Sequence, residues 1–438
     1  MTTEPENERN PMPQATPKLH AETVRLERET GWQLLANLPA SPTCFIRHGD
    51  GIAGFGESAR IATVGPNRVE NLSTAWRELA ADAAVFDAIS LPGTGLVAFG
   101  TIAFADDSRS ESVLVIPRVV IGARDGRYWL TEITRVAETN ADAPSAPLAE
   151  RVEEVLAAAG IGLVAENSAI ALSEGEQSAA AFKRSVSAAV AAIRSGGIEK
   201  VVLARDLVGD LPANFDLRPA LNRLAERYPT CWIYSVDGNF GASPELLVRV
   251  AHGQVSARVL AGTAGRGTDP AVDHAISVAL AESNKNTTEH AFAVDSLVDA
   301  LRPFCDHVDA DPKPFSLALP NLWHLASDVH GVLKREASSL DLTAALHPTA
   351  AVAGTPRAKA TRLISELEPF NRGRYAGPVG WIGADGDGEW AIALRGAQID
   401  FESERIRAFA GCGIVAESDP DAELAETELK FQPIRLAL

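Results

Sequence analysis

Cysteine is scarce in this chain. Cys44, Cys231, Cys305 and Cys412 are the four in 438 residues, none in C-x-x-C spacing, and their apolar surroundings suit buried thiols in a reducing compartment. The nine histidines show no spacing that would build a zinc site. Long apolar runs are missing too: no stretch reaches the length of a membrane span, and the N-terminus has no apolar run after a basic start. We therefore expect a cytoplasmic protein with no membrane partner and a disordered leader over residues 1–20. Positive charge is in deficit, with 40 Lys and Arg against 58 Asp and Glu, and the net charge of -18 repels polyanions. Nucleic acid is thereby a poor partner, whereas a small anion can still be held by local arginine, backbone N–H groups or a divalent metal. No Gly-Lys-Ser/Thr follows the glycine-rich stretches at 259–267 and 409–415, so neither is a Walker loop, and no repeat of fixed period is visible.

What is present is core-forming material. Hydrophobic residues make up 46% and charged residues 22%, the balance of a globular chain, and the length allows several ordinary domains or one large intertwined one. From about Leu35 to Ile133 strands dominate, turning at His48-Gly49 and at Asp125-Gly126. The Ala-, Pro- and Asp-rich segment Glu138–Glu150 is the linker candidate. Farther on, Phe182, Val186, Val190 and Ile193 form one helical stripe that Gly196-Gly197 stops. A meander then turns at Asp237-Gly238 and His252-Gly253. The stripe Val294, Leu297, Val298 and Leu301 predicts an amphipathic helix with Glu289 and His290 in its first turn, and a closing helix starts near Asp419-Pro420. Strands joined by hairpins, with helices between sets of them, predict an α/β protein of the mixed α+β kind, with largely antiparallel sheets and flanking helices.

Several residues carry two readings. Strand alternation puts Lys200 on one face with Ile198, Val202 and Ala204, and turns Arg205 to the other. Such a lysine either snorkels its ammonium to water or is a desolvated general base. In "GASPELLVR" Ser243 and Pro244 suggest a helix start, but the turn at His252-Gly253 is so near that Leu246, Val248 and Val250 read better as strand, and Glu245 is either solvated or a general acid. Glu423, Glu426 and Lys430 share one helical face, as an exposed i,i+4 ion pair or as carboxylates offered to a hard cation. Gly411 and Gly413 mark a bulge or a close backbone approach to a ligand. His324 and His347 lie among apolar residues, as core histidines do. Asp385–Trp390 hints at calcium but reads more simply as a hairpin turn.

Taken in order, "KVVLAR", "GASPELLVR", "LAGTAGRG", "NKNTTEH", "LWHL", "LHPTAAVAGTP", "GPVGWIGADGDGEWAIALRGAQI", "FAGCGIV" and "AELAETELK" resemble the chorismate-utilising enzymes, which include isochorismate, anthranilate, aminodeoxychorismate and salicylate synthases. The resemblance implies the anthranilate synthase component I-like fold, with residues 176–438 as the chorismate-binding catalytic domain and 21–150 as a sheet-rich part completing it. It also implies Mg²⁺ held by Glu289 and Glu426 with Glu423 beside them, and Lys430 near the ring carboxylate of chorismate. Arg395 and the backbone at Gly411 and Gly413 would receive the enolpyruvyl carboxylate, Gly262 and Thr263 would line the pocket, and His324 would border the ring. Lys200 and Glu245 become the catalytic base and acid. Family members that add ammonia carry glutamine at the place of Lys200, so water is the implied nucleophile and no glutamine amidotransferase subunit is expected. Ala261 speaks against the aminodeoxychorismate branch, and Asn286 departs from the acidic residue of several relatives.

The branch most resembled is isochorismate synthase: a Mg²⁺-dependent isomerase, expected as a monomer, that adds water at C2 of chorismate and expels the C4 hydroxyl for menaquinone or siderophore synthesis. Two other readings stand beside it. A salicylate synthase would go on to eliminate pyruvate, and a non-catalytic protein would only bind chorismate.

Overall fold

The computed structural model describes residues 17–28, 34–35, 38–136, 146–158, 169–318 and 322–438. Among these residues two large sheets face each other. The thirteen-stranded sheet runs Ser173–Glu174, Lys200–Asp210, Arg405–Ile414, Gly396–Asp400, Asn239–Ser243, Trp232–Val236, Thr43–Arg47, Asp50–Phe55, Val119–Arg124, Arg127–Arg135, Leu19–Leu26 and Ala84–Asp87, with Gly354–Thr355 branching from Lys200–Asp210. The ten-stranded sheet runs Cys305–Ala310, Leu322–Leu333, Gln254–Gly265, Leu246–Ala251, Gly388–Ile392, Pro378–Gly383, Val97–Thr101, Ser112–Ile116 and Ala59–Thr63, with Phe315–Ala318 branching from Leu322–Leu333. Every pairing is antiparallel except that of Leu19–Leu26 with Ala84–Asp87. The mixed α+β class and the antiparallel sheets are those the sequence predicts.

The hairpins follow from their turn residues. His48-Gly49, Asp125-Gly126, Asp237-Gly238 and His252-Gly253 all have two successive positive φ angles, the backbone of the two-residue turn whose twist matches the flanking strands. Both sheets draw on both halves of the chain. Thr43–Arg47 pairs with Trp232–Val236 in the larger one, and Val97–Thr101 pairs with Pro378–Gly383 in the smaller. Between the sheets lies a core that includes Phe45, Ile52, Phe99, Trp381 and Trp390, and a second core under the outer helices includes Leu221, Phe240 and Phe431.

Helix Ala179–Arg194 buries Phe182, Val186, Val190 and Ile193, and Ser178 caps it by accepting from the Ala181 N–H. Four boundaries differ from the sequence reading. Helix Arg68–Ala81 stands within the stretch read as strands; its buried Val69, Leu72, Trp76 and Leu79 keep helical spacing, masked by the hairpins on either side. The helix carrying Glu289 and His290 spans Asn284–Leu301, so the pair sits in its second turn, because Thr287 already closes backbone and hydroxyl bonds to the Ser283 carbonyl. Leu148–Ala157 is helical, so the linker candidate is shorter than Glu138–Glu150, of which residues 138–145 lie outside the described set. Residues 1–16 of the leader also lie outside it, and Leu19 already opens a strand. No helix among the described residues is long and apolar enough to cross a membrane.

Candidate active site

Lys200 opens the strand Lys200–Asp210 between Thr355 on one side and the end of Arg405–Ile414 on the other. A Cβ built on Gly413 would fall 2.6 Å from Lys200 Cε and 3.4 Å from Nζ, so this glycine is what leaves room for the lysine. The lysine is half-buried, not snorkelled to bulk water. Burial pushes its pKa below the ordinary 10.5; Lys430 adds to the fall, while Glu245 and Glu426 oppose it.

Glu245 sits where the chain crosses from one sheet to the other, between Asn239–Ser243 and Leu246–Ala251. Arg395, at φ 51°, marks the neighbouring crossing, between Gly388–Ile392 and Gly396–Asp400. The two crossings are tied together: Glu245 O accepts from Ile392 N at 3.0 Å, Ser243 Oγ donates to Ile392 O at 2.5 Å, and Ala242 N donates to Arg395 O at 3.4 Å. Both residues thus stand outside the strand ladders. Burial raises the Glu245 carboxyl above its ordinary value, opposed by Lys200, Arg395 and Lys430. The residue is half-buried. Among the described residues neither Lys200 nor Glu245 forms an ion pair, and Arg395 forms none either.

The closing helix Pro420–Ala437 begins at Asp419, which caps it by accepting from the N–H groups of Asp421 and Ala422. On one face Lys430 Nζ contacts Glu426 at 2.6 Å and donates to Gly411 O at 2.8 Å. The i,i+4 pair therefore exists, with Lys430 half-buried against Gly411 and the Glu426 carboxylate exposed. One carboxylate oxygen of Glu423 is buried without a hydrogen-bond partner. An orphaned carboxylate oxygen one turn from Glu426 is the donor set a hard cation takes, so these residues fit Mg²⁺. Among the described residues no three acidic, histidine or cysteine side chains converge on one point. The side chains of Glu289 and Thr263, and of Ala261 and Asn286, lie outside the described set.

Gly262 has φ +82° and interrupts the register between Ala261, opposite Leu325, and Thr263, opposite His324. His324 is half-buried and accepts no proton easily: burial lowers its pKa, a backbone hydrogen bond to Gly262 opposes, and Lys200 lowers it further. His347 stays a core residue, its Nε2 3.0 Å from Phe104 O, and burial pushes it down to about 3. The Asp385-Gly386 stretch is the hairpin turn between Pro378–Gly383 and Gly388–Ile392.

Sequence reasoning passes over Tyr375. Its ring stacks on Phe409 at 5.0 Å, and its hydroxyl lies 3.1 Å from where a Gly411 Cβ would be. Burial raises the phenol to about 12, with Arg372 and then Arg395 opposing, so the hydroxyl keeps its proton. An aromatic residue just ahead of "GPVGWIG" was the available signal. A cavity of about 230 Å³ lies elsewhere, among Arg60, Asp237, Arg374 and Gln398. There both guanidinium groups are spent on Asp237, at 2.7 Å each, so its polarity is that of a closed ion-pair network.

The family model for chorismate binding enzymes matches residues 15–438. The MenF protein of Mycobacterium tuberculosis strain H37Rv is 44% identical over 255 residues, which cover 56% of this chain and 68% of that protein. The isochorismate synthase DhbC of Bacillus subtilis is 37% identical over 269 residues, 59% of this chain and 67% of that one. The menaquinone-specific isochorismate synthase MenF of Escherichia coli shares the fold at a TM-score of 0.73 and 24% identity, over 97% of this chain and 95% of that one. Anthranilate synthase component I of Streptococcus pneumoniae shares it at 0.67 and 21% identity, over 93% and 95%. The chain belongs to the chorismate-binding enzymes, and within them it is most like the isochorismate synthases.

Proposed function

We propose that the protein converts chorismate to isochorismate. The observation that carries this reading is a lysine and a glutamate that perturb one another, form no ion pair, and are both pushed by burial toward their neutral forms. A neutral amine and a protonated carboxyl are what water addition with loss of hydroxide requires. Lys200 takes a proton from the water that attacks C2, the ring double bonds migrate, and Glu245 gives its proton to the departing C4 hydroxyl. One water enters and one leaves, so the product is an isomer.

Positioning precedes this chemistry. Arg395 and the Tyr375 hydroxyl take the enolpyruvyl carboxylate, together with the backbone at Gly411 and Gly413. His324, neutral by burial, borders the ring with Gly262 and Thr263. Glu289, Glu423 and Glu426 would hold Mg²⁺, with Lys430 beside the ring carboxylate. When bound, the cation supplies the positive charge that lets an acidic site accept a dicarboxylate.

The test is product chromatography with a pyruvate assay on the purified chain, chorismate and Mg²⁺. Isochorismate without pyruvate is expected. Salicylate with pyruvate, or an inert chain, would refute the assignment. Chorismate affinity should fall on removing Mg²⁺ and in Glu426→Ala; an unchanged affinity in both would refute the metal's part.

A further inference from the structure

Three arginines converge between the two sheets, Arg249 four residues along the chain from Glu245. On the larger sheet Arg47 opposes Asp50 across the hairpin, and Arg124 follows Ala123, the partner of Gly51, which brings it up beside Asp50. On the smaller sheet Arg249 directly opposes Glu389. Residues opposed on antiparallel strands share a face. The two rows face each other, because Trp232 Nε1, under the Arg47 guanidinium at 4.0 Å, donates to Glu389 at 2.8 Å across the gap between the sheets.

This cluster has a surplus of donors. Arg47 spends one N–H on Thr230 O at 2.9 Å, and the described residues provide no other hydrogen bond and no ion pair for Arg47, Arg124 or Arg249. Arg124 Nε is buried without a partner. The nearby carboxylates bond elsewhere: Glu389 accepts from the indole at 2.8 Å, and Asp50 from the Asp125 N–H at 3.2 Å. Burial depresses both Arg47 and Arg124, Glu389 opposes, and the like charge of Arg249 depresses them further. The carboxylates of Glu389 and Asp50 offset part of this charge without hydrogen-bonding to any of the three guanidinium groups, and that surplus of donors calls for an acceptor-rich partner.

We propose that Arg47, Arg124 and Arg249 form a binding site for a small multivalent oxyanion, of the phosphate or polycarboxylate class. Planar guanidinium forks suit oxygens carried two or three to a centre, which a monovalent halide does not offer. The site does not depend on the proposed reaction.

Isothermal titration of the full chain with inorganic phosphate and with citrate, at constant ionic strength and against chloride, tests this. We expect one saturable site for an oxyanion and none for chloride; the tighter of phosphate and citrate names the class. Arg124→Gln should weaken binding at least tenfold. Glu389→Gln should tighten it several-fold, since it removes the competing negative charge while its amide oxygen still accepts from Trp232. That gain cannot arise from misfolding, and it separates this site from any carboxylate bound at Arg395. Absence of saturable binding for both anions, or one affinity shared by wild type, Arg124→Gln and Glu389→Gln, would overturn the proposal.

Discussion

Two acid–base pairs, Arg372 with Glu368 and Lys200 with Glu245, are treated in opposite ways. Arg372 and Glu368 meet at 2.6 Å, nearly inaccessible to solvent, and every remaining group is occupied. Glu368 accepts from Ala204 N, while Arg372 donates to Val202 O and Val352 O and lies 4.5 Å over the Phe104 ring. Burial alone would lower the Arg372 guanidinium, but Glu368 more than reverses it, so the pair stays charged and bridges backbone groups of the lysine's strand. Lys200 and Glu245 have no such bonds, and desolvation therefore dominates, moving the lysine down and the carboxyl up. Burial does not by itself neutralise a charge; burial without hydrogen-bonded compensation does. A pair of the first kind fixes a strand, and one of the second kind is shifted toward its neutral forms.

Substitution can break this contrast at either end. Lys200→Ala should lower turnover by about 10³-fold, the range of a lost general base, with chorismate affinity within a few-fold of wild type by calorimetry. Arg372→Met should leave Glu368 buried without its partner and cost about 3–5 kcal/mol in urea unfolding. Gly413→Ala places a methyl against Lys200 Cε and should reduce kcat by about tenfold, roughly 1.4 kcal/mol of barrier, with little change in Tm.

The smallest effect is the most diagnostic. A carboxyl raised above its ordinary 4.5 keeps a proton that the unfolded chain has lost, so Glu245 destabilises the fold increasingly as pH rises from there through its folded-state value. Glu245→Gln should match wild type at pH below 4.5 and become the more stable protein above it, in unfolding curves taken across that window. A wild-type advantage at neutral pH would mean the carboxylate is charged and paired after all.

Much of this was legible in residue order. Alternation put Lys200 with aliphatic neighbours and turned Arg205 away, and Arg205 indeed points to the outer helices, where it contacts Glu428 at 2.5 Å. The four Xaa-Gly turns and the stripe of Ala179–Arg194 were equally plain, because period and φ demands are local. Helix Arg68–Ala81 was not, since a short amphipathic stripe among hairpins has no local rival to set it apart. Tyr375 and the three arginines were invisible for a different reason: their meaning lies in partners from strands remote in sequence.

Local chemistry was thus enough to dictate turns, helix stripes, the class of the sheets and the side of its strand on which Lys200 would lie, since each depends on residues a few positions apart. Charge state could come only from folding. How far Lys200 and Glu245 shift toward their neutral forms, and whether Arg372 finds Glu368, depend on how much water the packed sheets remove and which hydrogen bonds they offer in return.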